Sequence, residues 1–157
     1  MFFMSVVTDV SINVVSLAFS QGGHIPKKYS CEGEDVNPPL EISNLPPNTK
    51  TLAVVVEDPD APRGIFDHWI VWNIPPNEPI AENSIPGTDG INSFGSGGYR
   101  GPCPPSGSHR YFFKVYALDS QLDLQAGSNK KALQQAMQGH VLAYGELMAY
   151  YKKSNSL

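Results

Sequence analysis

TLAVVVE, residues 51–57, is a short run of β-branched and apolar side chains with proline-rich turns on both sides. No polar residue alternates through it, so it reads as a strand buried on both faces of a sheet. Working outward, two further runs have the same character: HWIVWNI at 68–74 and RYFFKVYAL at 110–118. The first stops at Pro75-Pro76, which cannot continue a central strand. Both are rich in the aromatic and β-branched residues that suit a pleated surface. These three are the expected core strands. Shorter strands are expected within Ser11–Phe19 and Leu40–Ile42, around the loop GGHIPKKYSCEGEDVNPP. No crossover helices separate the runs, which favours an antiparallel sheet.

Between the second and third core strands, residues 75–108 are rich in Gly, Pro, Asn and Ser and show no periodicity. Loops of that length in a compact domain are usually functional or disordered, and the density of proline here, with Phe94 and Tyr99 available to pack, argues for order. One helix is expected after Ser128-Asn129 as its cap, with Ala132, Leu133, Ala136 and Met137 on one side and Gly139 at its end. The tail HVLAYGELMAYYKK, 140–153, fits a helical or an alternating pattern, and the interruption at Gly139 favours a strand.

The chain has 157 residues, within the usual size of one domain, and a single domain over 1–157 is expected. Only 17% of residues are charged, while glycine and proline number 14 each, a profile of turns and structured loops that again favours a mainly β fold. The net charge is -4 and basic residues cluster only as pairs such as Lys27-Lys28, Lys130-Lys131 and Lys152-Lys153. Neutralising several phosphates needs a concentrated basic surface, so nucleic acid is excluded as an expected partner. The stretch Met1–Phe19 is apolar in places but holds Asp9 and no Lys or Arg before Lys27, unlike a secretory signal. No apolar run is long enough to span a bilayer, and a cytoplasmic location is expected. For Cys31 and Cys103 the ordinary reading in a reducing compartment is two free thiols, with a Cys31–Cys103 disulfide as the alternative.

Side chains alternate along a strand, so His109, Tyr111 and Phe113 should share a face that Arg110 does not. The same rule lines up Val54, Val56 and Asp58, and sets His68 above Ile70 and Trp72. Each polar group thus falls at a strand end. If those ends meet, the pocket holds two imidazoles, a phenol and the Asp58 carboxylate. Protonated imidazoles and a phenol donate to an anionic oxygen, and a carboxylate can keep a neighbouring histidine charged. The loop GYRGPCPPSGS would add backbone N–H groups at Gly101, Gly107 and Ser108. A strand-end histidine on its own is more often structural, and Trp69, Trp72, Phe112, Phe113 and Tyr116 are expected as core. Arg110 is expected to pair with Asp60 or Asp67 behind the pocket.

Two dense clusters combine these features: DPDAPRGIFDHWIVWNIP, 58–75, and GYRGPCPPSGSHRYFFKVYALD, 98–119. Both resemble the signature segments of the phosphatidylethanolamine-binding protein family, in particular its bacterial and archaeal Raf-kinase-inhibitor-like branch. With NPPLEISNLPP and GHVLAYGELMAYY, the resemblance covers nearly the whole chain. It implies a large central antiparallel sheet packed with a smaller sheet, one or two peripheral helices, and a shallow anion pocket. By motif position the ligand-binding residues are Asp58, His68, His109 and Tyr111, with Gly101, Pro102 and Pro62 shaping the wall and Asp60 and Arg110 in support. The expected ligand is a phosphate-type or carboxylate anion such as a phosphoethanolamine head group, with no cofactor and no metal. The resemblance also implies a possible protein partner, a kinase or serine protease, and a possible homodimer. Asp67 stands before His68 where many eukaryotic members have a second histidine.

Two other functions fit the same residue types. A hydrolase would use His68 or His109 as general base and Ser106, Ser108 or Cys103 as nucleophile, although no Gly-x-Ser-x-Gly elbow is present. A metal centre would take the two histidines and a carboxylate as a facial triad.

Overall fold

The computed structural model describes residues 11–154. Residues 1–10, which hold Asp9 and much of the apolar stretch read above against a signal peptide, lie outside the described residues, as do 155–157. Strands β1 (Asn13–Val15) and β2 (Glu41–Ser43) form a small antiparallel sheet. The large sheet comprises β3 (Thr51–Asp58), β4 (Phe66–Ile74), β5 (Thr88–Asp89), β6 (Ser108–Leu118) and β7 (Val141–Lys152). Its spatial order is β5-β4-β3-β6-β7, and every neighbouring pair is antiparallel. The expected mainly β architecture of a large and a small sheet is the one observed, and the tail is a strand.

TLAVVVE occupies the centre of the large sheet because every one of its side chains is apolar or can be satisfied there. All eight β3 residues are buried. Burying a large aliphatic side chain contributes about 1.5–3 kcal/mol, and only a central strand covered on both faces buries them all. On one face Val54, Val56, Trp69, Phe113 and Val115 join Ile12, Val14, Ile25, Tyr29 and Leu40. On the other, Ala53, Val55, Ile70 and Trp72 meet Leu122, Leu133 and Met137. The last two belong to α1 (Lys130–Met137), whose Asn129 side chain accepts a hydrogen bond from Ala132 N. Gly139, with φ of 82°, turns the chain out of the helix. Two of the aromatics expected as core, Phe112 and Tyr116, are only half-buried. Phe112 lies between the cationic ends of Arg110 and Lys114, 5.6 and 6.0 Å from its centroid.

One irregularity matters for function. Strand β4 pairs Trp69 with Val56 but Asp67 with Glu57, leaving His68 as the extra residue of a β-bulge. Asp67 and Glu57 both bond Lys130 at the start of α1, so they lie on the helix side of the sheet. His68 follows on the opposite side, and the bulge leaves Trp69 there too, in the cluster with Val56. Strict alternation would have put His68 with Ile70 and Trp72, on the helix side. That expectation is corrected by the bulge.

The long segment before β6 is ordered around the side chain of Asn92. Its Oδ1 accepts from Phe94 N (2.9 Å) and Ser96 N (3.2 Å), and its Nδ2 donates to Gly98 O (2.9 Å). Among the described residues no helix is long and apolar enough to cross a membrane.

Candidate anion site

At the Asp58 end of β3 a cleft of about 210 Å³ is lined by Asp58, Ala61, Pro62, Phe66, His68, Phe94, Cys103, Pro104, Pro105, His109 and Tyr111. It is smaller than the usual pocket for a drug-sized ligand and suits a small ion or head group. Five of the expected residues therefore meet in one place: Asp58, His68, His109, Tyr111 and Pro62. Strand pairing explains why. Val56 on β3 faces Phe113 on β6, so antiparallel running brings Asp58 towards His109 and Tyr111, while the bulge turns His68 in from β4.

Asp58 is almost fully buried, and both its oxygens are used. Oδ1 accepts from Asp60 N at 2.7 Å, and Oδ2 lies 2.6 Å from His109 Nδ1. A carboxylate oxygen accepts, so His109 donates through Nδ1 and keeps Nε2 for the cleft. His68 Nδ1 lies 2.7 Å from the Arg100 carbonyl oxygen and donates to it. Burial holds the His68 imidazole below its usual pKa, against the opposing pull of the Arg100 carbonyl and the Asp58 charge. This departs from the picture of two protonated imidazoles.

Tyr111 stands between the two histidines, its ring centroid 5.4 Å from His68 and 6.4 Å from His109. It is 1% exposed, and its hydroxyl makes no hydrogen bond of good geometry within the protein, although the Asp58 carboxylate is near enough to attract it. Burial, and then the nearby Asp58 charge, push this phenol well above its ordinary pKa, so it stays protonated and available to donate. A buried hydroxyl left unpaired costs about 1–3 kcal/mol, and such a group in a cleft marks a place where a ligand oxygen would be stabilised.

The supporting pair is as expected from the sequence. Arg110 grips Asp60 through Nε (2.9 Å), Nη2 (2.8 Å) and its own backbone N (2.9 Å). The guanidinium pulls the Asp60 carboxyl down to about 2. Asp67, the other partner considered, bonds Lys130 instead.

Gly101 and Pro102 do not line the cleft, which corrects their expected place. Gly101 N donates to Asp35 Oδ1 (2.7 Å), so it is not free for an oxyanion. A Cβ at Gly101 would lie 2.0 Å from Tyr29 O, which is why only glycine fits this approach. Pro102 O accepts from Cys31 N (3.1 Å). The wall comes from the next residues, Cys103, Pro104 and Pro105, and Cys103 is bonded to Cys31 with a Cα–Cα separation of 5.5 Å. Two free thiols is thus the wrong reading: the loops carrying them are brought side by side by the Cys31–Pro102 and Gly101–Asp35 bonds, a tertiary contact that spacing does not reveal.

Phe66 and Phe94 are lining residues that the sequence reading missed. Phe66 lies two positions before His68 on one strand face, a signal that was present; the placement of Phe94 depends on the Asn92 turn, which leaves no local pattern. Neither alternative chemistry gains a full set of groups. Cys103 is spent in the disulfide, while Ser106 and Ser108 are exposed and outside the lining. Among the described residues no three His, Cys, Asp or Glu side chains converge in a metal-binding group.

Residues 15–152 match the family model described as phosphatidylethanolamine-binding protein. A UPF0098 protein of Pyrococcus horikoshii is 50% identical over 150 residues, which cover 88% of this chain and 76% of that protein. The UPF0098 protein of Methanothermobacter thermautotrophicus is 43% identical over 90% of this chain and 99% of its own. Among solved structures, a phosphatidylethanolamine-binding protein homologue of Chlamydia trachomatis superimposes with a TM-score of 0.89 at 44% identity, covering 92% of this chain and 99% of that one. Escherichia coli YbcL, described as a member of the mammalian family, gives 0.83 at 29% identity over the same shares. With its two signature segments meeting at one cleft and its match spanning nearly every described residue, the chain belongs to the phosphatidylethanolamine-binding protein family.

Proposed function

We propose that the chain is a non-catalytic binding protein for a small oxyanion, of the phosphate-monoester or carboxylate kind, and that the loaded protein acts on a partner protein such as a kinase or protease. The observation that carries this reading is the buried hydroxyl of Tyr111, without a well-formed hydrogen bond in the protein, between two imidazoles at the base of a small cleft. The aromatic and proline walls keep water from competing for that hydroxyl. No serine lines the cleft and Cys103 is spent in the disulfide, which favours binding over turnover. Ile65, 57% exposed, and Phe94, 39% exposed, put apolar surface beside the cleft, as a protein partner would require.

The disulfide bears on location. A reducing cytoplasm keeps most such pairs as thiols, so Cys31–Cys103 favours an oxidising compartment over the cytoplasmic location expected from the sequence. Counting alkylated thiols in protein quenched directly in acid tests whether the pair is formed in the cell.

The test of binding is calorimetric titration of the wild type and Tyr111→Phe with phosphoethanolamine and with inorganic phosphate. Binding by the wild type, weakened about 10- to 100-fold in the variant, is expected, since one hydrogen bond to a charged group is worth about 1.5–3 kcal/mol. A folded wild type that binds neither compound rules the reading out.

A further inference from the structure

The bonding of the two imidazoles narrows which oxyanion the cleft would take. His68 Nδ1 donates to the Arg100 carbonyl, so the Nε2 left to the cleft presents a lone pair, and it accepts. His109 Nδ1 is committed in the same way to Asp58. No lysine or arginine lines the cleft. Arg110 is held by Asp60, while the Arg100 guanidinium lies over Phe94 and 3.6 Å from Asp35. The leading charges acting on His68 are acidic: Asp58 from β3, Asp35 from the loop before β2, and Asp67 beside it on β4. Phe66, Phe94 and Tyr111 pack around its ring. Burial outweighs the acidic neighbours and keeps the ring neutral. The cleft therefore offers an acceptor at His68 and a donor at Tyr111.

Resting on the anion-binding reading, we propose that the cleft selects oxyanions that carry a proton of their own, with the ligand's O–H donating to His68 Nε2 while another of its oxygens accepts from Tyr111. Hydrogenphosphate and singly protonated phosphate esters meet this requirement. Sulfate has the shape and charge of hydrogenphosphate but no proton, and it would set an oxygen against the Nε2 lone pair. Sites that pair a buried acceptor with a ligand proton reject the analogue lacking that proton more strongly than size or charge could.

The experiment is calorimetric titration of the wild type with inorganic phosphate and with sulfate, in neutral buffer at matched ionic strength. Phosphate is expected to bind about tenfold or more tighter. Equal affinity for the two ions overturns this inference and leaves anion binding standing, whereas no binding of either ion overturns both. His68→Gln, whose amide can turn either its oxygen or its NH2 towards the ligand, should bring the phosphate-to-sulfate ratio close to one. A folded variant with the wild-type ratio removes His68 Nε2 as the discriminating atom and overturns the proposal.

Discussion

Replacing both Cys31 and Cys103 by serine should lower stability by about 4 kcal/mol. The bond joins positions 72 residues apart, linking the loop before β2 to the loop before β6. In the chain-entropy model, opening a loop of that length returns about 15 cal/mol/K to the unfolded chain, which is about 4 kcal/mol at room temperature. Local collapse should add little to this. Cys31 N still donates to Pro102 O, Gly101 N to Asp35, and Tyr99 Oη to Tyr29 O, and these bonds hold the two loops together without the sulfurs. For a domain of this size each kcal/mol corresponds to about 2–4 °C, so the midpoint of thermal unfolding should drop by about 8–16 °C. Circular dichroism melts of wild type and variant, and of wild type with reductant after the thiols have been counted, measure the effect. A double-serine variant melting within about 2 °C of the wild type would refute the entropic reasoning.

Because burial lowers the His68 pKa, the unfolded chain takes up this proton first as pH falls, so the residue's contribution to stability is full above the ordinary histidine range and declines below it. Urea midpoints should therefore fall more steeply for the wild type than for His68→Gln between neutral and mildly acidic pH, and parallel profiles would contradict the assignment. Gly101→Ala forces a Cβ against the Tyr29 carbonyl and should destabilise by about 1–3 kcal/mol or more, read by urea denaturation. Lys130→Met removes the cation between Glu57 and Asp67 and leaves Lys114 as the remaining partner of buried Glu57. A loss of about 1–3 kcal/mol is expected, and an unchanged urea midpoint would show that the network contributes nothing.

Much of the site was readable in advance because it sits at the ends of strongly patterned strands. His109 and Tyr111 share a face two residues apart on β6, and Asp58 follows Val54 and Val56 on β3; both statements need only the period of a strand. The Arg110–Asp60 pair could also be expected, since Arg110 had to point away from His109. His68 shows the limit of that reasoning. Its strand was recognised, but its face was wrong, because a bulge is a property of two paired strands and leaves no mark in either one.

The amino-acid sequence by itself determined the central strands, the capped helix, the mainly β class and the residue types at the strand ends. These depend on interactions between near neighbours: alternation, β-branching, proline stops, and a polar cap ahead of an apolar helical face. Tertiary structure decided which of those ends meet. It turned His68 across the sheet, spent the Gly101 amide on Asp35, set Cys103, Pro104 and Pro105 in the wall instead of Gly101 and Pro102, and brought Cys31 to Cys103 across 72 residues. Each of these is a contact between segments distant along the chain, and a shift of one residue in pairing changes the face that every following side chain presents.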